Sequence, residues 1–364
     1  MDFHLGNITP YGDSLLINPG KLHRWYRDSL SGFTNEENRS KRHQHDIKIK
    51  KKGVIKTIRV PILELEHFGE DMAIDEKQIG EEMHTVISNR RTGKIAVLAR
   101  SVSATELIEL FPAFDLKGFE VKSITRDLSP SYDWFCRQVF CGARHIADKF
   151  HIVKHLMDAC QDVRIRYRQE ELSRKRTEYK TFKEKESERK KQCKLNGEVY
   201  KPKKFSYKEK KTRNGETPLE ILARSRYLLY KYPNNWTENQ RERAETLFEI
   251  YPEIKESYLL ACEFRSWYRK ENVGEDETIL LDGLQQWYDS VDKSEISEME
   301  NFKSLVERHQ KMILNYFIKG ETNAIAECIN SKIQRFIASN QGTRDREFFY
   351  FRLANFFSAP QNKI

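Results

Sequence analysis

The 364-residue sequence has no long apolar run, and no segment approaches the roughly 18–20 apolar residues that a membrane-spanning helix requires. Its first residues, MDFHLGNITPYG, lack the basic-then-apolar layout of a secretory signal peptide. Both absences predict a soluble, cytoplasmic protein with no membrane partner.

The sequence also lacks any C-x-x-C pair, which argues against a zinc ribbon. Its six cysteines are scattered, as expected for reduced thiols in the cytosol. His151 and His155 have the i, i+4 spacing of a zinc-binding helix, but Ile152 stands where H-E-x-x-H has glutamate. A catalytic zinc site is therefore not expected.

The net charge of +9 is unevenly distributed along the chain. Residues 172–213 contain 17 Lys and Arg against 6 Asp and Glu, and residues 39–59 contain 9 against 1. Solvated charged segments are the ordinary explanation, but two such runs with interleaved aromatics favour nucleic-acid binding. The candidate DNA-binding residues are Lys50, Lys51, Lys52, Lys203, Lys204, Lys210 and Lys211.

Residues 71–148 have the pattern of an α/β unit. Short apolar segments predict strands at 71–75, 83–88, 94–99, 119–127 and 143–148. Helices are predicted after the third and fourth strands, so the later strands must run parallel. We therefore predict the α/β class, with a ribonuclease H-like mixed-sheet core.

From residue 152 onward the pattern is helical, which predicts a large all-helical insertion. One long charged helix is predicted over 152–194, and Thr237 with Gln240 predicts a capping box. The spacing of Ser103 and Glu106 predicts a second capping box. The expected organisation is a basic N-terminal segment (1–66), the first part of the core (67–151), the insertion (152–320) and the rest of the core (321–364).

Three aspartates follow predicted core strands. Asp75 is expected to close the first strand, Asp127 the fourth and Asp148 the fifth. Open α/β sheets place their sites beyond the carboxyl ends of parallel strands, so Asp75 and Asp127 are expected to meet at one edge. Each aspartate alone has a simpler explanation, since aspartate often ends strands and caps helices.

The segment TNAIAECINSKIQRFI predicts a helix with one polar stripe. The stripe consists of Asn323, Glu327, Asn330 and Gln334, and isoleucines occupy the opposite side. A surface helix with its polar face in water is the ordinary explanation. The absence of Lys and Arg within the stripe favours a partly enclosed site instead. Carboxylates are hard oxygen ligands that select Mg²⁺ or Mn²⁺, and Asp75, Asp127 and Glu327 are suited to hold such ions.

The segments MAIDEKQ, SITRDLSPSY, ADKFHIVKHL and TNAIAECINSKIQRF, in this order, resemble the ISL-three family of bacterial insertion-sequence transposases. This resemblance runs from about residue 70 to about residue 356. It implies a DDE transposase with a ribonuclease H-like core, in which Asp75, Asp127 and Glu327 are the catalytic and metal-binding acids. Asp148 and His151 resemble a D-x-x-H signature of related families, and these two residues, with Asn323 and Asn330, are expected to support the site.

The sequence departs from the family pattern at its N-terminus. The family usually has a cysteine zinc ribbon and a helix-turn-helix that recognise the element ends, whereas the first cysteine here is Cys136. We therefore expect end recognition to depend on residues 39–59, the insertion or a separate chain.

The resulting hypothesis is a Mg²⁺- or Mn²⁺-dependent transposase that hydrolyses DNA at element ends and transfers the strand to target DNA. Double-stranded DNA is the expected partner, a homodimer or higher oligomer is implied by the resemblance, and the expected location is the bacterial cytoplasm at the nucleoid. Two alternatives stay open. One is a non-catalytic DNA-binding relic or companion subunit, and the other is a ribonuclease H-like nuclease without strand transfer.

Overall fold

The computed structural model describes residues 13–36, 46–51, 53–114, 116, 118–207, 211–339 and 345–358. The chain divides into two compact units. The first is built from residues 1–151 and 311–364, and the second is residues 152–310. The second unit lies entirely within the predicted helical insertion, 152–320.

The first unit is organised around a six-stranded mixed sheet. The described strands are Asp46–Lys51 (β1), Val54–Arg59 (β2), Ile62–Leu63 (β3), Asp71–Ile79 (β4), Glu82–Asn89 (β5), Ile95–Ala99 (β6), Ser123–Arg126 (β7) and Arg144–Ala147 (β8). The sheet order is β3-β6-β5-β4-β7-β8, in which β4 pairs with β7 and β7 with β8 in parallel. The predicted α/β class with a mixed-sheet core is confirmed, and the strand order is consistent with the predicted ribonuclease H-like core.

Two predicted strand limits were wrong. β4 does not end at Asp75, because its antiparallel pairing with β5 continues to Ile79 opposite Glu82. Asp75 is therefore inside a long strand. β7 begins at Ser123 rather than at residue 119, since only the segment alongside β4 finds a pairing partner.

The N-terminal basic segment contains a hairpin that was not predicted. β1 and β2 pair antiparallel around Gly53, whose φ of 81° suits glycine. Ile49 and Ile58 are buried in the core of the first unit, and lysines occupy the exposed positions between the isoleucines. The alternation of Ile and Lys in DIKIKK is a strand signal that the high charge obscured.

Helices supply the rest of both units. The described α-helices are Pro19–Trp25 (α1), Ala104–Leu110 (α2), Pro130–Val139 (α3), Lys149–Leu195 (α4), Pro218–Arg224 (α5), Glu238–Ile250 (α6), Pro252–Trp267 (α7), Glu277–Ser294 (α8), Ser297–Lys319 (α9), Ala324–Ser339 (α10) and Arg346–Ser358 (α11). The predicted long helix is α4. Among the helices of the described ranges, none is both long and apolar enough to cross a bilayer.

One predicted capping box forms and the other does not. Thr237 and Gln240 cap α6 reciprocally. Ser103 makes no capping hydrogen bond at the start of α2. The carboxylate of Glu106 binds Lys56 Nζ at 2.7 Å and Ser101 Oγ at 2.7 Å. The hairpin β1–β2 supplies Lys56, so a tertiary contact replaces the local cap.

The sheet of the first unit has an apolar core on each face. On one face Ile74 and Ile124 pack in a cluster that includes residues of α2 and α3. On the other, Ile79 and Val86 pack with residues of α10 and α11. Because successive strand residues point to opposite faces, Asp75 and Thr125 face α10. Of the isoleucines predicted on the apolar side of α10, Ile329 and Ile333 are buried there, and Ile325 is partly buried.

The second unit is all-helical in its described residues. Its core is aromatic, with Phe264 in edge-to-face contact with Trp287 and Phe302. Arg166 on α4 binds Glu253 at 2.6 Å and Glu298 at 2.8 Å, which joins three helices of this unit.

Candidate active site

Three aspartates lie at one level across three parallel strands. Ala73 of β4 is paired with Thr125 of β7, so two residues further along, Asp75 is level with Asp127. Arg126 is paired with Ala147 of β8, which places Asp148 level with Asp127 one residue later. The register therefore places Asp75, which is inside β4, level with the two aspartates that follow the carboxyl ends of β7 and β8.

Asp75 is partly buried on the side of β4 that faces α10. Its Oδ2 accepts a hydrogen bond of 2.7 Å from Asn330 Nδ2, and its Oδ1 accepts one of 2.8 Å from the Glu76 N–H. Burial raises the pKa of Asp75 to about 6, and the charges of Asp148 and Asp127 add to this rise. The Glu76 N–H and the charge of His151 oppose it. The carboxylates therefore repel one another, which is the electrostatic condition for binding a cation.

Asp148 has two roles at the junction of β8 and α4. Its Oδ1 accepts a hydrogen bond of 3.2 Å from the Phe150 N–H at the start of the helix, and its Oδ2 lies 2.7 Å from His151 Nδ1. The hydrogen bond to Asp148 raises the pKa of His151 against the effect of burial, and the charges of Asp127 and Asp75 act in the same direction. These contacts therefore favour the protonated form of His151.

Asp127 begins the turn that leads into α3. Its Oδ1 accepts a hydrogen bond of 3.0 Å from the Ser129 N–H, and its carbonyl accepts one of 3.1 Å from Arg126 Nη1. Arg126 is fully buried and forms an ion pair with Asp133 of α3. The side chain before Asp127 therefore fixes the backbone at this position.

Glu327 is in the first turn of α10. It is exposed, and partial burial together with the charge of Asp148 raises its pKa, while His151 opposes the rise. Its carboxylate is therefore within electrostatic range of Asp148 and His151. Within the described ranges, no group of three or more His, Cys, Asp or Glu side chains is arranged to hold one metal ion.

The two asparagines of the predicted polar stripe contact the sheet. Asn323 is buried, and its Oδ1 accepts a hydrogen bond of 3.0 Å from Thr125 Oγ1. Asn330 binds Asp75 as described, and Gln334 accepts a hydrogen bond of 3.1 Å from Lys77 Nζ. The stripe therefore borders the site, and the interpretation of α10 as a helix with a fully solvated polar face is wrong.

An ionic cluster that the sequence did not reveal fixes the start of α10. Glu321 pairs with Arg90 at 2.9 Å and with Arg144, and accepts a hydrogen bond of 3.0 Å from Ser123 Oγ. Burial opposes ionisation, but these partners hold the pKa of Glu321 below its ordinary value. The partners come from the turn after β5, from β7 and from β8, so only the folded topology brings them together.

The predicted DNA-binding lysines are in both units. Lys50 is exposed on β1, and Lys203, Lys204 and Lys211 are exposed in the segment after α4. Lys51 belongs to β1. The two remaining candidates, Lys52 and Lys210, are outside the described residues.

Comparison with known proteins supplies one match. The family DDE_Tnp_ISL3, described as “Transposase”, matches residues 72–353, about three quarters of the chain. The matched region includes Asp75, Asp127, Asp148 and Glu327. No curated protein and no solved structure shows significant similarity to the chain.

Proposed function

The chain belongs to the ISL-three family of transposases, and on that premise we propose that it hydrolyses DNA at the ends of an insertion element and joins the freed 3′-hydroxyl to target DNA. Membership of the family supports DNA transposition and a DNA substrate in general. The two reaction steps and their dependence on Mg²⁺ or Mn²⁺ are our proposal.

One observation carries the proposal. Asp75, Asp127 and Asp148 are level with one another on neighbouring parallel strands, and α10 brings Glu327 within electrostatic range of Asp148. Acids from distant parts of the sequence are thus brought together beside the carboxyl ends of β7 and β8, the kind of edge where α/β proteins place their sites.

The residues at this edge fit a divalent cation. The pKa of Asp75 is raised to about 6, in part by neighbouring negative charges that a cation would neutralise. Asn330 Oδ1 is buried and accepts no hydrogen bond from the described part of the chain, although its own Nδ2 binds Asp75. An oxygen in that position needs a donor or a cation. Mg²⁺ typically takes only one or two carboxylates and completes its shell with water and phosphate oxygens.

We assign Asp75, Asp127 and Glu327 to hold the metal. Bound Mg²⁺ or Mn²⁺ would supply charge stabilisation to the attacking and leaving oxygens of the phosphodiester. Asn330 orients the Asp75 carboxylate, and above pH 6 that carboxylate is mostly ionised and competent to bind. Asp148 holds His151 in place, and the positive charge of His151 offsets part of the negative charge around the phosphate.

The remaining assignments are also proposals. We propose that double-stranded DNA contacts the exposed lysines named above, that the protein works as a homodimer or higher oligomer on paired ends, and that a separate chain contributes to end recognition where this chain does not. The proposed location is the bacterial nucleoid.

A cleavage assay on labelled duplexes tests this function. The substrates carry the sequences that flank the coding region in its native genome, and the reactions contain Mg²⁺ or Mn²⁺. A nicked product together with a joined product supports a transposase. Cleavage without joining would support the nuclease alternative, and binding without cleavage would support the companion-subunit alternative.

A further inference from the structure

The second half of α4 segregates its charges by face. At about 100° per residue, six cationic side chains between residues 176 and 194 fall within an arc of about 100°. They are Arg176, Lys180, Lys183, Lys190, Lys191 and Lys194. The acids of the same stretch, at 178, 184, 186 and 188, fall outside this arc. We name the six residues the cationic stripe.

The cationic stripe contains no acidic residue. All six side chains are exposed, and within the described ranges none of them forms an ion pair. Neighbours along the stripe, such as Arg176 and Lys180 or Lys190 and Lys194, are like charges at i, i+4 and destabilise a helix. An ordinary solvated helix would mix the signs, so this arrangement indicates an anionic partner.

A return segment, residues 200–207, packs along the adjacent side of the helix. Phe205 contacts Tyr179 and Phe182, with ring centroids 5.0 and 5.3 Å apart. Near the other end, Tyr200 donates a hydrogen bond of 2.8 Å to Glu186. The return segment therefore runs antiparallel to α4 and supports it, while leaving the cationic stripe open to solvent.

The return segment also adds charge beside the stripe. Lys201, Lys203 and Lys204 are exposed on it. The acid nearest to them, Glu186, is already occupied by Tyr200 and by the Lys203 N–H at 3.0 Å. The local surface is therefore strongly positive and is held in a fixed conformation.

We propose that the cationic stripe lies along the phosphate backbone of duplex DNA and binds it without regard to sequence. This inference rests on the proposed function, which supplies DNA as the partner. The first and last residues of the stripe are 18 positions apart, about 27 Å of helix, which matches about eight base pairs. It contains no Asn or Gln with which to read base edges, and flexible Lys side chains contact phosphates.

The test compares two double variants with equal loss of charge. Lys180→Gln with Lys191→Gln removes two members of the stripe. Arg174→Gln with Lys185→Gln removes two cations from the opposite side of the same helix. Glutamine retains high helix propensity, and circular dichroism confirms that both variants fold. Binding to a labelled duplex of arbitrary sequence is measured by fluorescence anisotropy between about 50 and 200 mM salt.

The stripe variant is expected to bind at least tenfold more weakly at 100 mM salt, with a slope of log affinity against log salt that is less steep by about 2. The opposite-side variant should keep the original slope. Equal effects of both variants, or no effect of the stripe variant, would overturn the inference. Tighter binding to anionic lipid vesicles than to the duplex would also overturn it.

A Glu327→Gln variant separates this inference from the proposed function. If that variant binds the duplex as the unaltered chain does but fails to cut it, while the stripe variant binds weakly, both proposals stand. If the unaltered chain binds DNA but does not cut it, the catalytic proposal fails. The stripe inference is then still decided by the slopes of log affinity against log salt.

Discussion

Asn330 Nδ2 donates a hydrogen bond of 2.7 Å to Asp75 Oδ2, joining two residues that are 255 positions apart. Asp75 lies in the central part of the sheet, and Asn330 is on a helix that follows the entire second unit in sequence. This contact fixes the position of α10, and therefore of Glu327, relative to the strand that carries the first acid.

The Asn330→Ala substitution should reduce DNA cleavage by about 10–100-fold, because residues that orient metal-binding carboxylates typically contribute this much. The loss should include a higher Mg²⁺ concentration for half-maximal activity, measured by metal titration of the cleavage assay. Gln334→Ala, one turn later on the same face, is the control and should stay within about twofold. Equal losses in the two variants would contradict an orienting role for Asn330.

Asp75→Asn should stabilise the fold while abolishing cleavage. The folded-state pKa of Asp75, about 6, is above its ordinary value, so its stabilising contribution is present at low pH and lost as the pH rises through 6. At pH 7.5 the substitution should therefore raise the free energy of unfolding by roughly 1–3 kcal/mol in metal-free buffer. Urea denaturation measures the difference.

Asp71 provides the matched control on the same strand. Burial opposes its ionisation, but hydrogen bonds from Ser123 and Arg91 hold its pKa below the ordinary value. Asp71→Asn should therefore lower the stability at pH 7.5. A loss of stability in both variants would show that the surroundings of Asp75 do not destabilise its ionised form.

Arg126→Met should destabilise the first unit by about 3 kcal/mol. Arg126 is fully buried, and its removal breaks an ion pair with Asp133 as well as the hydrogen bond to the Asp127 carbonyl. Arg137 binds the other oxygen of Asp133 at 2.9 Å but is exposed, so Arg137→Met should cost less than about 1 kcal/mol. Equal losses of unfolding free energy in the two variants, measured by urea denaturation, would contradict the claim that burial makes the Arg126–Asp133 pair the stronger one.

The stability should also depend on the protonation of His84. Burial lowers its pKa to about 4, and its Nε2 lies 2.7 Å from the Tyr350 hydroxyl of α11. Because the unfolded histidine titrates near 6.5, its contribution is complete above that pH and is lost as the pH falls toward 4. The stability difference between the unaltered chain and His84→Gln should shrink by about 2 kcal/mol between pH 7 and pH 5. A pH-independent difference would contradict this account.

The sequence predicted those parts of the fold that depend on local pattern. The presence of the five strands from β4 to β8 and the parallel direction of the later ones followed from short apolar segments and intervening helices, and the Thr237 capping box followed from its spacing. The extent of β4 was missed because its last residues are polar and are held by pairing with β5. The hairpin of β1 and β2 was missed because lysines dominate its composition.

The candidate site was predictable in its residue types but not in its contacts. Strand ends and a polar helical stripe pointed to Asp75, Asp127, Asp148 and α10. The pairing of Glu321 with Arg90 and Arg144 left no signal in the sequence, because these residues are distant along the chain. The family resemblance agrees with the family match, whereas the roles of the individual acids stay predictions.

The central claim, that Asp75, Asp127 and Glu327 form the catalytic centre of a transposase, is tested most directly by comparing the unaltered chain with Glu327→Gln. The measurement is metal-dependent cleavage and strand joining on labelled DNA from the flanks of the coding region. Glutamine keeps the size of the side chain and removes the charge. We predict metal-dependent joining in the unaltered chain and its loss, with DNA binding retained, in the variant. Equal joining by both proteins would contradict the assignment of Glu327, and absence of cleavage in both would contradict the catalytic proposal.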